Sequence, residues 1–299
     1  MPVPTVPGSC SPGHPVRSRR QALRALTMLS MAAAGAHPLR LAHAAAPLRI
    51  GLTPVFLDDQ VGFLERWRAY LEAQLDRPVR FVQRGSYSEV LRLLLDGQTE
   101  FAWLCGFPYW RNRDRLQLVA VPVYRGAPLY RSYLIRNQAH GDIRSLQDLQ
   151  GLTFAYSDPD SNSGFLYVQH RLKQAGHLNA QFFGRSFFTW AHRKVVEAVS
   201  VQLAHAGAVD GYVWDVLDRI APELTATTVV FEQSQPFGFP PIVAMAWQSS
   251  DMVRSMRAVL EGMRHDPEGH ALLAILALDG FETGSPSLFD GIGRMADTL

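Results

Sequence analysis

From Leu48 onward, short apolar runs alternate with stretches whose apolar residues recur at helical spacing, which is the pattern of an α/β protein. Leu48–Leu52 predicts a strand. Phe63, Leu64, Trp67, Leu71 and Leu75 fall on one helical face and predict a helix over Val61–Leu75. A second strand is predicted over Pro78–Val82, a short helix over Ser88–Asp96 that ends at Gly97, and a buried strand over Glu100–Cys105. With helices between its strands, this β-α-β-α-β run predicts parallel pairing.

The layout recurs without a sequence repeat. Leu152–Tyr156 predicts a strand, Gly164–Ala175 a helix closed by Gly176, Lys194–Leu203 another helix, and Val209–Trp214 a strand. The expected fold is therefore α/β, with two Rossmann-like lobes joined by two hinge crossings. The extended stretches Ala127–Arg136 and Thr225–Gln233 are the natural crossings. Helical patterns at Met252–Arg264 and Pro267–Leu278 are long enough to return to the first lobe. Residues 48–132 with 236–299 are expected to form one lobe and residues 133–235 the other. Sites in such sheets lie beyond the carboxyl ends of strands and between domains, so a cleft is expected.

Composition is ordinary for a globular chain: 299 residues, 47% hydrophobic and 19% charged. The formal charge of +2 is misleading, because Arg17, Arg19, Arg20, Arg24 and Arg40 precede the first acid, Asp58. Ser18-Arg19-Arg20-Gln21-Ala22-Leu23, the apolar run Ala25–Ala36 and Ala42-His43-Ala44 together resemble a twin-arginine export leader with its cleavage site. The run is shorter than the ~20 residues a spanning helix needs. Residues 1–44 are thus expected to be a signal peptide that directs the mature chain to the periplasm. Its removal takes five arginines and no acid from +2, leaving −3. That balance gives no support for nucleic-acid partners or membrane insertion, and a monomer is expected. Cys10 leaves with the leader and Cys105 is then alone, which excludes an internal disulfide and a multi-cysteine metal site. With no thiolate-stabilising partner nearby in sequence, Cys105 reads as a small buried hydrophobe. No metal or cofactor is expected.

The segment Tyr156-Ser-Asp-Pro-Asp-Ser-Asn-Ser-Gly-Phe-Leu166 lies between a predicted strand and a predicted helix. Ser161, Asn162 and Ser163 stand at the helix start, where unpaired N–H groups and the helix dipole favour an anion. The same residues would equally serve to cap the helix. H-E-x-x-H, G-x-G-x-x-G, C-x-x-C and G-x-S-x-G motifs are absent from the sequence, which weighs against the enzymes that use them.

Asp158-Pro-Asp-Ser-Asn-Ser-Gly-Phe-Leu resembles the D-P-x-S-T-S-G-x-L signature of the substrate-binding proteins of phosphate, phosphite and phosphonate ABC importers. Gly85-Ser-Tyr-Ser-Glu-Val, Glu100-Phe-Ala-Trp-Leu, Trp190-Ala-His192 with Val209-Asp210-Gly, and Ser234–Val243 resemble further segments of that family in the same order. The resemblance implies a type II periplasmic binding protein that captures a phosphonate-like or phosphate-like oxyanion between its lobes for an ABC permease. Ser161, Asn162, Ser163 and His192 match its oxyanion-contacting positions, and Tyr87 matches a first-lobe tyrosine. A ligand sensor for a membrane kinase and an exported enzyme are the alternatives.

Two departures from the family pattern bear on the ligand. Positions where aminophosphonate binders carry carboxylates align near Leu217 and Pro240, so an aminoalkyl phosphonate is not the expected ligand. Asp215 lies close to the first of these positions and is kept as a candidate ligand contact. Trp103–Trp110 replaces a shorter turn, and Tyr109 is its candidate contact, with core packing the alternative for the neighbouring aromatics. Arg125 reads either as an anion contact or as a solvated arginine.

Overall fold

The computed structural model describes residues 46–54 and 61–299; the expected leader lies outside the described residues. In chain order the first part comprises β1 (Leu48–Leu52), α1 (Val61–Leu75), β2 (Val79–Gln83), α2 (Tyr87–Leu95), β3 (Phe101–Trp103), α3 (Gly106–Arg111) and β4 (Leu116–Val123). Two short strands, β5 (Leu129–Tyr130) and β6 (Ser132–Asn137), lead into β7 (Thr153–Tyr156), α4 (Tyr167–Gln174), α5 (Asn179–Phe182) and β8 (Arg185–Phe188). There follow α6 (His192–Ser200), β9 (Ala206–Asp210), α7 (Gly211–Ile220), α8 (Pro222–Thr225) and β10 (Thr228–Gln233). The chain returns through β11 (Phe237–Gly238), β12 (Ile242–Met245), α9 (Ser250–Gly262), α10 (Pro267–Leu276), β13 (Gly280–Glu282) and α11 (Asp290–Ala296).

Two sheets carry the fold. One has the order β13-β4-β12-β3-β1-β2, and the other β10-β6-β9-β7-β8. β1 pairs parallel with both β2 and β3, as the β-α-β-α-β run predicts, whereas the returning β12 pairs antiparallel with β3 and β4. In the second sheet β7 pairs parallel with β8 and β9, and β6 runs antiparallel to β9. Between the sheets, β5 and β11 pair antiparallel through Tyr130–Phe237 and Leu129–Gly238. Of the expected crossings, Thr225–Gln233 is instead largely a sheet strand, because β10 hydrogen-bonds to β6; the chain passes back only at Ser234–Gly238.

α1 buries the face its sequence predicts. Phe63, Trp67, Tyr70 and Leu71 of α1 are buried, and the Trp67 ring lies 5.1 Å from Phe81 and 5.9 Å edge-on from Trp103. α2 begins at Ser86, whose hydroxyl accepts the Glu89 N–H at 3.3 Å. Val209–Trp214 corrects the sequence reading. Only Val209 and Asp210 belong to the strand, because Asp210 accepts the Tyr212 and Val213 N–H groups through Oδ1 and starts α7. Tyr212, Val213, Val216 and Leu217 then form the buried face of that helix. The predicted helix at Gly164 begins instead with a π turn over Asn162–Leu166, closed by Leu166 N–H to Ser161 C=O at 2.9 Å.

Candidate functional site

Strand ends and helix starts from both sheets converge on one small cavity of about 30 Å³. Leu52 and Thr53 reach it from the end of β1, Trp103 and Cys105 from the end of β3, and Phe239 and Pro240 from the returning segment. From the second sheet come His192, the first residue of α6, and Asp210 and Tyr212 at the start of α7. Tyr87, the first residue of α2, completes the wall. The cavity therefore sits beyond the carboxyl ends of β1, β3 and β9, where α/β sheets hold their ligands.

Three polar atoms stand ready for a ligand. Among the described residues, the Tyr87 hydroxyl, His192 Nε2 and Asp210 Oδ2 have no hydrogen-bond partner, although all three residues are buried. His192 Nδ1 accepts the Asp210 N–H at 3.1 Å, which assigns the ring proton to Nε2 and makes that atom a donor. Burial pushes the imidazole pKa down to about 3, so the donor is neutral. Burial likewise pushes the Cys105 thiol up to about 11 and the Tyr87 hydroxyl well above its usual range. Asp210 is raised to about 8, burial outweighing the two N–H bonds that oppose it. Among the described residues, no lysine or arginine lines the cavity. An anion here must be held by neutral donors and by helix starts, and α6 offers its first amides without side-chain competition, because Ala191 makes no cap bond.

The serine-rich turn packs behind the lining residues Cys105 and His192, and Ser161, Asn162 and Ser163 are not themselves among the described residues that line the cavity. Ser161 is the helix cap, its hydroxyl accepting the Gly164 N–H at 2.9 Å, so the capping role holds for that residue. Asn162 donates its N–H to Cys105 Sγ at 3.3 Å and its side-chain amide to the Tyr130 hydroxyl at 2.9 Å, joining the turn to the opposite half of the molecule. Asn162 Oδ1, Ser163 Oγ and Ser157 Oγ are buried without a hydrogen-bond partner. Such orphaned polar atoms cost stability and mark a place where a polar ligand would repay them. Gly164 is required by this packing, because a Cβ there would overlap the Ser157 hydroxyl and stand 3.1 Å from His192 Cε1.

Tyr109 and Asp215 are not brought to the cavity. α3 turns the buried Tyr109 ring onto Phe289, 4.7 Å away, so the aromatic turn is core at this position. Asp215 sits one turn along α7 from the cavity, where Oδ2 accepts from the Tyr124 hydroxyl at 2.8 Å and the Tyr133 hydroxyl at 3.3 Å and pairs with Arg125 at 3.1 Å. Arg125 is thus committed to Asp215. Conversely, the sequence reading passed over Asp210, Cys105, Thr53 and Trp103 as site residues. For Asp210 the available signal was an acidic residue between a strand and a glycine, hidden by reading Val209–Trp214 as all strand. Among the described residues, no group of three or more His, Cys, Asp or Glu side chains is placed to hold a metal ion, and no helix is long and apolar enough to cross a membrane.

Comparison with known proteins bears on the family and the fold. The family described as the periplasmic substrate-binding protein of the phosphonate ABC transporter matches residues 50–289. A curated relative, the phosphate-import protein PhnD of Mycolicibacterium smegmatis, is 31% identical over 111 residues, which is 36% of this chain and only 35% of that protein. Two solved structures share the fold at a TM-score of 0.76. A binding component of an ABC phosphonate transporter from Pseudomonas aeruginosa is 21% identical, with 84% of this chain and 85% of that chain covered. PhnD1 of Prochlorococcus marinus, in complex with methylphosphonate, is 17% identical, with 84% and 97% covered.

Proposed function

Because this chain belongs to the family of periplasmic substrate-binding proteins of phosphonate ABC transporters, we propose that it captures a small phosphonate or phosphate oxyanion in the Tyr87–His192–Asp210 cavity and delivers it to an ABC permease. The observation that carries the reading is the set of unpartnered polar atoms, Tyr87 Oη, His192 Nε2 and Asp210 Oδ2, on three residues that line one cavity at the start of three helices. Ser163 Oγ and Asn162 Oδ1, buried and unsatisfied beside it, reach the ligand when it is bound. Residues 48–132 with 236–299 and residues 133–235 act as the two bodies that close on it, with β5 and β11 between them. A twin-arginine leader over residues 1–44 takes the chain to the periplasm, where it works as a non-catalytic monomer.

The cavity also argues for a short ligand. Its far wall is apolar, made by Leu52, Trp103, Phe239 and Pro240, and Trp103 Nε1 is already engaged with the Pro240 carbonyl at 2.9 Å. Leu217 is fully buried in the helix core, so neither family carboxylate position supplies a partner for an ammonium group. A thermal-shift screen over inorganic phosphate, phosphite, methylphosphonate and 2-aminoethylphosphonate tests the proposal. The first three are expected to include the strongest stabiliser; tight binding of 2-aminoethylphosphonate alone would overturn the short-ligand reading.

A further inference from the structure

We infer that Asp210 is a specificity-determining residue of this site, sharing one proton with the bound oxyanion, so that the state of its carboxyl decides which tetrahedral anions are accepted. The inference rests on the proposed oxyanion function and goes beyond it to the selectivity of the same site.

The geometry divides the two carboxyl oxygens. Oδ1 caps α7 by accepting Tyr212 N–H at 2.9 Å and Val213 N–H at 3.4 Å, whereas Oδ2 has no partner among the described residues and its residue lines the cavity. A carboxylate and a dianion held side by side, with no lysine or arginine in the lining among the described residues, would repel each other. A proton between them converts that repulsion into a hydrogen bond. Either the carboxyl supplies it, to a dianion with no O–H of its own such as methylphosphonate, or the ligand supplies it, as monohydrogen phosphate can.

The surroundings make Asp210 the group that titrates. Burial raises its pKa to about 8, with the nearby Asp215 charge adding to the rise. Of the groups that face it, the hydroxyls of Tyr87 on α2, Tyr130 on β5 and Tyr212 on α7 are all raised well above the usual tyrosine range. Cys105 at the start of α3 is raised to about 11, and His192 on α6 is lowered to about 3. Tyr133, on the β6 strand that pairs with β9, is raised by burial, and Asp158, across Tyr87, is also raised by burial. Between pH 7 and 9.5 the cavity wall therefore changes charge at Asp210.

Calorimetric titration of the protein with methylphosphonate and with inorganic phosphate, from pH 7 to 9.5, tests this. Methylphosphonate affinity is expected to fall about tenfold for each pH unit beyond 8, since binding then requires protonating the carboxyl. Phosphate, which keeps its last proton throughout this range, is expected to hold its affinity, so selectivity shifts toward phosphate. In Asp210→Asn the amide donates at every pH and still caps α7, so the decline for methylphosphonate should vanish. Parallel pH profiles for the two ligands in the unmutated protein, or an undiminished decline in a folded Asp210→Asn variant, would overturn the inference. The unmutated comparison decides the matter even if the variant fails to fold. Absence of binding by either anion at any pH would instead overturn the oxyanion reading, and the inference with it.

Discussion

The Asp210 N–H donates to His192 Nδ1 at 3.1 Å, and through that one bond the end of β9 fixes the tautomer of a histidine on the neighbouring helix. Nε2 is left as the proton-bearing atom of a residue that lines the cavity, and burial keeps the ring neutral at every pH the periplasm meets. His192→Ala is therefore expected to weaken binding of the preferred anion about tenfold to a hundredfold, the range for a lost hydrogen bond to a charged group of ~1.5–3 kcal/mol. His192→Gln, which keeps an N–H donor, should recover part of the loss. Calorimetry on both variants checks this, and unchanged affinity in the alanine variant would remove His192 from the site.

The same pair sets the pH dependence of the empty protein. His192 has its pKa lowered from 6.5 to about 3 on folding, so the unfolded chain binds a proton that the folded one refuses. Stability from this residue is present above pH 6.5 and is lost as pH falls toward 3. Asp210 is raised from 3.8 to about 8, so the folded state keeps a proton that the unfolded chain releases, and stability is lost as pH rises from 4 toward 8. The two slopes oppose each other below pH 6.5; between 6.5 and 8 that of Asp210 stands alone. Denaturant melts without ligand should show stability declining over that interval by up to about 1.4 kcal/mol per pH unit. Asp210→Asn should flatten the decline.

Ser163 separates stability from binding. Its hydroxyl is fully buried without a hydrogen-bond partner, so Ser163→Ala removes an unsatisfied group and should leave the empty protein equally stable or up to about 1 kcal/mol more stable. Ligand affinity should nonetheless fall about tenfold or more, as the lost donor would otherwise face the anion. Paired melting and calorimetric measurements on one variant read both effects. Loss of stability with unchanged affinity would assign Ser163 to packing alone.

Tyr124 and Asp215 form a link between the two halves on the hinge side of the molecule. The Tyr124 hydroxyl, just past β4, donates to Asp215 on α7 at 2.8 Å, and Tyr212 on the same helix reaches the Leu276 carbonyl at the end of α10. These bonds stand outside the cavity and, on the proposed two-body closure, would favour the closed arrangement. Tyr124→Phe is expected to weaken ligand binding about fivefold, matching the ~1 kcal/mol of one hydrogen bond, while the bound ligand's contacts stay unchanged. Small-angle scattering of the ligand-free variant should show a more expanded particle. Tyr109→Phe, which keeps the ring against Phe289 and removes only a hydroxyl away from the cavity, should change neither quantity.

Much of the fold was legible because periodicity reports burial directly. The Trp67 face of α1 and the apolar strands β1 and β3 have one solution each, a helix and a parallel pair. Val209–Trp214 failed because β-branched and aromatic residues satisfy both periods over so short a run, and the deciding fact is a side-chain bond from Asp210 to its own helix start. At the site, Tyr87 and His192 were found by resemblance. Asp215 and Tyr109 were proposed for chemistry that sequence cannot direct. One turn of α7 carries Asp215 to the hinge, and the axis of α3 turns Tyr109 toward Phe289. Position along a helix decides such cases, and it depends on where the helix begins.

The central claim is tested most directly by a crystal structure grown with inorganic phosphate or methylphosphonate. The account predicts one tetrahedral anion in the cavity, within hydrogen-bond distance of Tyr87 Oη and His192 Nε2 and of the Asp210 carboxyl, with Ser163 Oγ partnered. An anion bound elsewhere while Tyr87, His192 and Asp210 stay unpartnered, or an empty cavity at saturating ligand, would contradict it.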